Sequence, residues 1–139
     1  MGMPAACNSP DGLSEGFPDV CKTPMGPDMV PIPYDNIATF DLADPPTLCE
    51  TVLITGFMAS TVNTVLTMSQ GDDAGVGGGV VSSSFLGSCK FKVGSSTVQM
   101  EGAAAAFLGS VIVVNKDSNG NDPVGAATSA GQETVTVAP

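Results

Sequence analysis

The segment GFPDVCKTPMGPDMVPIPYDNIA, residues 16 to 38, holds five of the chain's eleven prolines, one of its four cysteines and its only tyrosine. Proline fixes φ at about −65° and supplies no backbone donor, so a run this rich in it cannot lie inside a helix or form a central strand. The sequence therefore predicts an extended wrap laid over the rest of the fold.

A chain of 139 residues is the size of one domain with a modest core. Seventeen glycines and eleven prolines, with much Val, Thr and Ser and few aromatics, favour short strands and tight turns over a helical bundle. Positive mean hydropathy argues against disorder. The expectation is a mainly β fold: a flexible or peripheral arm over 1–15, rich in turn formers such as Asn8, Pro10, Asp11 and Gly12, then a single domain over 16–139.

Within that domain, CETVLITGFMAS predicts strands at Thr51 to Thr55 and Phe57 to Ser60 around Gly56. The threonines of STVNTVLTM, 60 to 68, tilt that stretch towards strand. GSCKFKVGSSTVQMEG, 87 to 102, reads as two strands with a turn at Gly94 to Ser96. AAAAFLGSVIVV, 103 to 114, reads as a short coil or helical turn and then a strand. NKDSNGNDPVG, 115 to 125, is a loop carrying Asn-Gly, ETVTV at 133 to 137 a last short strand, and no repeat of fixed length is visible. Met58, Met68 and Met100 read as core filler.

Charge removes several functions. The net charge is −10, with Lys22, Lys90, Lys92 and Lys116 as the only cations. A nucleic-acid surface needs clustered Lys or Arg, and an anionic membrane repels such a chain. No apolar run approaches a membrane span and the first twenty residues lack a signal-peptide pattern, so cytoplasmic residence is expected. There Cys7, Cys21, Cys49 and Cys89 stay reduced unless they bind metal or meet an oxidising space.

Catalytic chemistry is hard to assemble. Without histidine, neither a Ser-His-Asp nor a Cys-His arrangement exists, and no enzyme activity is expected. Asp72 and Asp73, neighbours in a Gly-rich turn, read as solvated carboxylates. Gly71 to Gly79 lacks the Gly-Lys-Ser/Thr of a phosphate loop. Asp117, Asn119 and Asn121 alternate as in a calcium loop, but Asp122 and Thr128 stand where Gly and Glu belong, so a plain turn is expected. The cysteines, spaced unlike any zinc knuckle, leave three readings open: buried free thiols, a four-thiolate zinc site, or a disulfide.

Taken in order, PDVCKTP (18 to 24), VPIPYDNIA (30 to 38), GDDAGVGGGVVSS (71 to 83) and VQMEG (98 to 102) resemble the PAAR-like family, small proteins of type VI secretion and related contractile injection systems. The resemblance implies a small conical β-fold that caps a trimeric VgrG-type spike, one tip per trimer, sharpening it for membrane puncture and effector delivery. It implies residence in the cytoplasm until assembly, export with the spike, transient contact with the target membrane, and in some relatives a fused effector domain, which is not expected here. A separately encoded effector remains a partner to expect.

Better-known PAAR proteins hold zinc near the apex through histidines and a cysteine. This chain has AAAAFLG where an Arg-His-like pair would follow VQMEG, so any zinc site must be rebuilt from cysteine. Cys21, inside the shared block, is the first candidate ligand, followed by Cys7, Cys49 and Cys89. The alternative function is an acidic adaptor or immunity-type module that captures a basic effector, suggested by the −10 charge.

Overall fold

The structure is a computed structural model that describes residues 2–116 and 120–139. These residues form twelve strands: β1 (Met3–Pro4), β2 (Gly12–Met25), β3 (Asp28–Thr39), β4 (Cys49–Ile54), β5 (Phe57–Ala59), β6 (Val65–Leu66), β7 (Ser88–Phe91), β8 (Gln99–Met100), β9 (Ala103–Ala104), β10 (Val111–Lys116), β11 (Gly120–Ala130) and β12 (Thr136–Val137). Two single-turn 3-10 helices, Phe40–Leu42 and Pro45–Thr47, follow β3. The fold is mainly β, as its composition predicts. No helix among the described residues is long and apolar enough to cross a membrane.

Six strands form one antiparallel sheet in the order β3-β2-β11-β10-β7-β6. Its two edges meet. Ile37 and Gln70 exchange both backbone N–H···O bonds at 2.7 Å, Thr67 N–H donates to Leu42 O at 3.0 Å, and Asp44 N–H donates to Val65 O at 2.8 Å. The sheet therefore closes into a small barrel made of three hairpins, β2–β3, β6–β7 and β10–β11. Closure removes the exposed edges that would otherwise invite pairing with other chains.

Three shorter antiparallel pairs, β12–β1, β4–β5 and β8–β9, lead into those hairpins. Between the two sets the backbone makes a cycle: Ala6 N–H donates to Ala106 O at 2.9 Å, Ala106 N–H to Ser60 O at 3.0 Å, and Ser60 N–H to Ala6 O at 3.0 Å. The flanking bonds repeat the cycle, Asn8 to Met58, Val62 to Ala104 and Leu108 to Pro4. So do the bridges Ala5 with Phe107, Cys7 with Ala59 and Thr61 with Ala105. One chain thus has a quasi-three-fold axis through PAAC (4–7), MAST (58–61) and AAAF (104–107). Only small side chains let three strands approach an axis this closely.

The core divides at that ring. Inside the barrel Phe40 and Phe91 meet edge to face, centroids 5.4 Å apart, among buried Leu66, Ile112, Val114 and Cys89. Each buried aromatic contributes roughly 1.5–3 kcal/mol of burial and the pair about 1 kcal/mol more. Ala5, Cys7, Cys49, Ile54, Ala59, Ala105 and Val137 form a second cluster under the short pairs. Met58 and Met100 pack partly buried against these clusters and Met68 is half-buried.

Several expectations change. The predicted arm is built in: Ala5, Ala6 and Cys7 are fully buried, Met3 and Pro4 pair with Val137 and Thr136, and β2 starts at Gly12. The predicted proline-rich wrap is the β2–β3 hairpin itself, with Pro18 at a bulge between Gly16 and Asp19. Lys22 N–H donates to Gly78 O at 2.8 Å, and Val20 O accepts from Val80 N–H at 3.0 Å. Both residues thus turn their backbone polar groups towards the Gly-rich loop. Their cross-strand partners Pro31 and Pro33 therefore sit where the missing N–H would point away from β2, which is why the strand tolerates them. Ala103 and Ala104 are strand rather than helical turn, STVNTVLTM keeps only Val65–Leu66 as strand, and β11 occupies Gly120–Ala130, part of which reads as loop in sequence.

Candidate metal centre inside the barrel

The bulge at Gly16–Asp19 decides what β2 buries. Before it Gly12, Ser14 and Gly16 face inward, and after it Asp19, Cys21 and Thr23 do, because a one-residue shift exchanges the two faces of a strand. From β3, Asn36 joins them. The Gly-rich excursion between β6 and β7 supplies Asp72, and Asn115 and Asn121 come from β10 and β11. Every hairpin of the barrel contributes, and Asp19, Asn36, Asp72 and Asn115 are each 0 % exposed.

Asp19 is the hub. Asn36 Nδ2 donates to its Oδ2 at 2.7 Å, while Asn115 Nδ2, at 3.2 Å, and Asn121 Nδ2 donate to Oδ1. Both outer amides are held in orientation: Asn115 Oδ1 accepts from Gly87 N–H at 3.0 Å and Asn121 Oδ1 from Val81 N–H at 2.8 Å. Three amide donors replace the water that a buried carboxylate loses. One acceptor of the cluster, Asn36 Oδ1, is buried without a partner.

Cys21 Sγ lies 3.7 Å from Asp19 Oδ1 and 3.6 Å from Asp72 Oδ2, and Asn115 Nδ2 lies 3.5 Å from the sulfur. A thiol carries one proton, so at most one of the two carboxylate contacts is a hydrogen bond at a time. Burial, then the charges of Asp19 and Asp72, push the Cys21 thiol well above its ordinary range. Burial pushes the Asp72 carboxyl up to about 6, with Asp19 adding to the rise and the Leu86 N–H opposing it. That N–H reaches the two Asp72 oxygens at 3.1 and 3.3 Å.

Ligand atoms of Asp19, Cys21 and Asp72 all lie within 4.8 Å of one another, so the three can hold a metal ion. A tetrahedral ion bound to thiolate at about 2.3 Å and carboxylate at about 2.1 Å has sulfur–oxygen edges of about 3.6 Å. The observed 3.6 and 3.7 Å match that edge. Two carboxylates and a thiol also form a donor set whose charge a divalent cation would balance.

The Gly-rich loop is shaped to this centre. Gly77 N–H donates to Lys22 O, so the loop lies along the edge of β2 that β11 leaves free. A Cβ on Gly75 would stand 2.4 Å from Cys21 Cβ, and one on Gly79 2.3 Å from Asn121 Oδ1. Glycine is required there by proximity. One layer towards the hairpin tip, the Thr23 hydroxyl and Tyr34 OH lie 2.7 Å apart.

The other cysteines stand elsewhere. Cys7 Sγ faces Ala130 O at 3.9 Å, and Cys49 Sγ faces Met100 O at 3.5 Å. Burial pushes both thiols up, helped at Cys49 by the charge of Glu101. Cys89 lies on β7 in the barrel core, its thiol pushed by burial up to about 11. All four cysteines are free, and only Cys21 belongs to the three-residue cluster. Neither a disulfide nor a four-thiolate set forms.

Sequence reasoning misplaced Asp72. A carboxylate expected to be solvated is fully buried, whereas its neighbour Asp73 is exposed and accepts a bond from Gly71 N–H. Asp19 and Asn36, inside PDVCKTP and VPIPYDNIA, carry no mark in sequence of a ligand or its partner. Of the calcium-like alternation, Asp117 and Asn119 lie outside the described residues, and Asn121 serves the buried network rather than a plain turn.

The model of the toxin PAAR-like domain family matches residues 12–121, the span that holds every residue of this network. No curated protein and no solved structure matches the chain. The motif residues Asp19, Cys21, Asn36 and Asp72 that carry the resemblance in sequence are thus neighbours in one buried centre, with Thr23 and Tyr34 beside it, and the chain belongs to the toxin PAAR-like domain family.

Proposed function

We propose that the protein is a spike tip of a type VI or related contractile injection system, seated on a trimeric VgrG-type spike at one copy per trimer. The observation that carries this reading is the backbone cycle Ala6–Ser60–Ala106. A homotrimer presents three identical surfaces around its axis, and a single chain meets all three at once only if it is itself close to three-fold. The three short strand pairs at the ring are the natural seat, and Leu53 on β4 is 62 % exposed there. The barrel, closed by its buried polar centre, then points away from the spike and meets the target membrane first.

On this reading Asp19, Cys21 and Asp72 hold zinc, which would tie the Gly-rich loop to β2 and stiffen the leading end. Tip function needs rigidity rather than turnover, and buried carboxylates out of reach of a substrate fit a non-enzymatic role. The protein would wait in the cytoplasm, leave with the spike, and aid delivery of a separately encoded effector.

The test is to mix the purified chain with its spike trimer and size the product by light scattering. One chain per trimer is expected, with Leu53→Glu weakening the complex and Val30→Glu, on the long β2–β3 hairpin, leaving it intact. A folded wild-type chain that gives no complex would sink the reading. Elemental analysis should find about one zinc per chain, lost in the Cys21→Ser, Asp72→Asn double variant.

A further inference from the structure

Positive charge is scarce on this chain and its placement is uneven. Of four lysines in a molecule of net charge −10, Lys90 and Lys116 lie on the neighbouring strands β7 and β10, and Lys92 follows the end of β7. Lys90 pairs across the sheet with Val65 on one side and Val113 on the other. A groove of about 450 Å³ opens on this face, lined by Val62, Asn63, Lys90, Phe91, Lys92 and Val113, with no carboxylate among them.

We propose that this groove docks an extended segment of another protein that carries acidic side chains at alternate positions and an apolar side chain beside them. Lys90 on β7 and Lys92, one residue past its end, both line the groove, and two residues of extended chain span about 6.7 Å. An extended peptide repeats at that same interval, which brings one carboxylate to each ammonium. Val62 and Val113 offer the apolar contact, and the Asn63 amide can serve the peptide backbone.

The rest of the molecule selects among anionic partners. At physiological ionic strength charges beyond about 8 Å are largely screened, so a short segment in the groove responds to its two lysines. A membrane surface or a nucleic-acid strand, by contrast, would extend past the groove and face the many carboxylates of a −10 chain. β7 is an interior strand of the barrel, so the segment lies across the face and recognition rests on side chains rather than strand addition. A separately encoded cargo fits this description, and the inference does not rest on the spike reading.

The experiment measures fluorescence anisotropy of a labelled synthetic peptide, Gly-Glu-Val-Glu-Val-Glu-Gly, titrated with the full chain at 0.15 M salt. Saturable binding is expected, weakened at least tenfold by Lys90→Glu with Lys92→Glu and unchanged by Lys22→Gln on the distant hairpin. Should the double reversal fail to fold by circular dichroism, Lys92→Gln alone, at an exposed position, is expected to weaken binding about threefold. Absence of saturable binding, equal binding by Gly-Lys-Val-Lys-Val-Lys-Gly, or no loss in the variants overturns the proposal. So does tighter binding to phosphatidylserine vesicles, or a concentration-dependent dimer of the chain that the same variants abolish.

Discussion

The sulfur of Cys21 lies 3.6 Å from Asp72 Oδ2 although 51 positions separate them in the chain. Nothing local brings them together. β2 places the thiol on its inner face through a bulge, and the glycine loop lies on the edge of β2 closely enough to lower a carboxylate onto it. The pair therefore reports whether loop and strand are docked, and its ionisation is coupled to folding.

Acid should stabilise the metal-free protein through this pair. The Asp72 carboxyl is raised from 3.8 to about 6, so the folded state binds a proton that the unfolded state has already released. Stability from this group is greatest below about pH 4 and falls as pH rises to about 6, above which the loss is constant. The difference is on the order of 1–3 kcal/mol. With chelator present, urea unfolding of wild type should show this fall, and Asp72→Asn, which keeps the shape without the charge, should flatten it. A variant as pH-dependent as wild type would place the proton elsewhere.

Metal binding runs in the opposite sense. Asp72 and Cys21 must both lose protons to become ligands, so affinity should drop about tenfold per pH unit for each proton displaced. Competition against a chromophoric chelator at pH 7.5 and pH 5.5 measures this. Zinc affinity that does not change between the two would mean that the ion binds away from these residues.

Gly75 is where the loop meets the Cys21 side chain. A methyl group there would stand 2.4 Å from Cys21 Cβ and 3.2 Å from Tyr34 Cε2, and Cys21 Cβ, fixed to its backbone, cannot retreat without moving β2. Gly75→Ala should cost about 1–3 kcal/mol by overpacking and weaken metal binding with it. Val76→Ala, at the exposed position next to it, should cost under about 0.5 kcal/mol by the same thermal melt.

What could be read in the sequence follows the range of the forces involved. Thr55-Gly56 and the β4–β5 pair were visible because a hairpin is set by its turn and its alternation, both local. The role of Asp72 was hidden because a carboxylate among glycines carries no sign of burial. Its environment comes from Asp19 and Cys21 on β2, over fifty positions away, and from the Leu86 N–H. Pro31 and Pro33 read in sequence as part of an extended wrap rather than a sheet strand, because which backbone groups of β3 face outward depends on the loop that Val20 and Lys22 bind. The quasi-three-fold axis left only PAAC, MAST and AAAF as a trace, with unequal spacing between them and one shared property, a central pair of small residues.

Ser60 is the member of that ring that differs. Its equivalents are Ala6 and Ala106, all three are at most 1 % exposed, and Ser60 Oγ is buried without a hydrogen-bond partner. A buried hydroxyl that bonds to nothing forfeits its hydration, a loss of about 1–3 kcal/mol less whatever the oxygen regains in packing. Ser60→Ala should therefore stabilise the protein by about 1 kcal/mol and raise Tm by a few degrees, making the ring chemically uniform. Ala106→Ser, the reverse change at an equivalent position, should lower Tm by a similar amount. If Ser60→Ala lowers Tm instead, the hydroxyl has a partner in solution, an ordered water on the axis, and high-resolution diffraction would show it beside Ser60 Oγ.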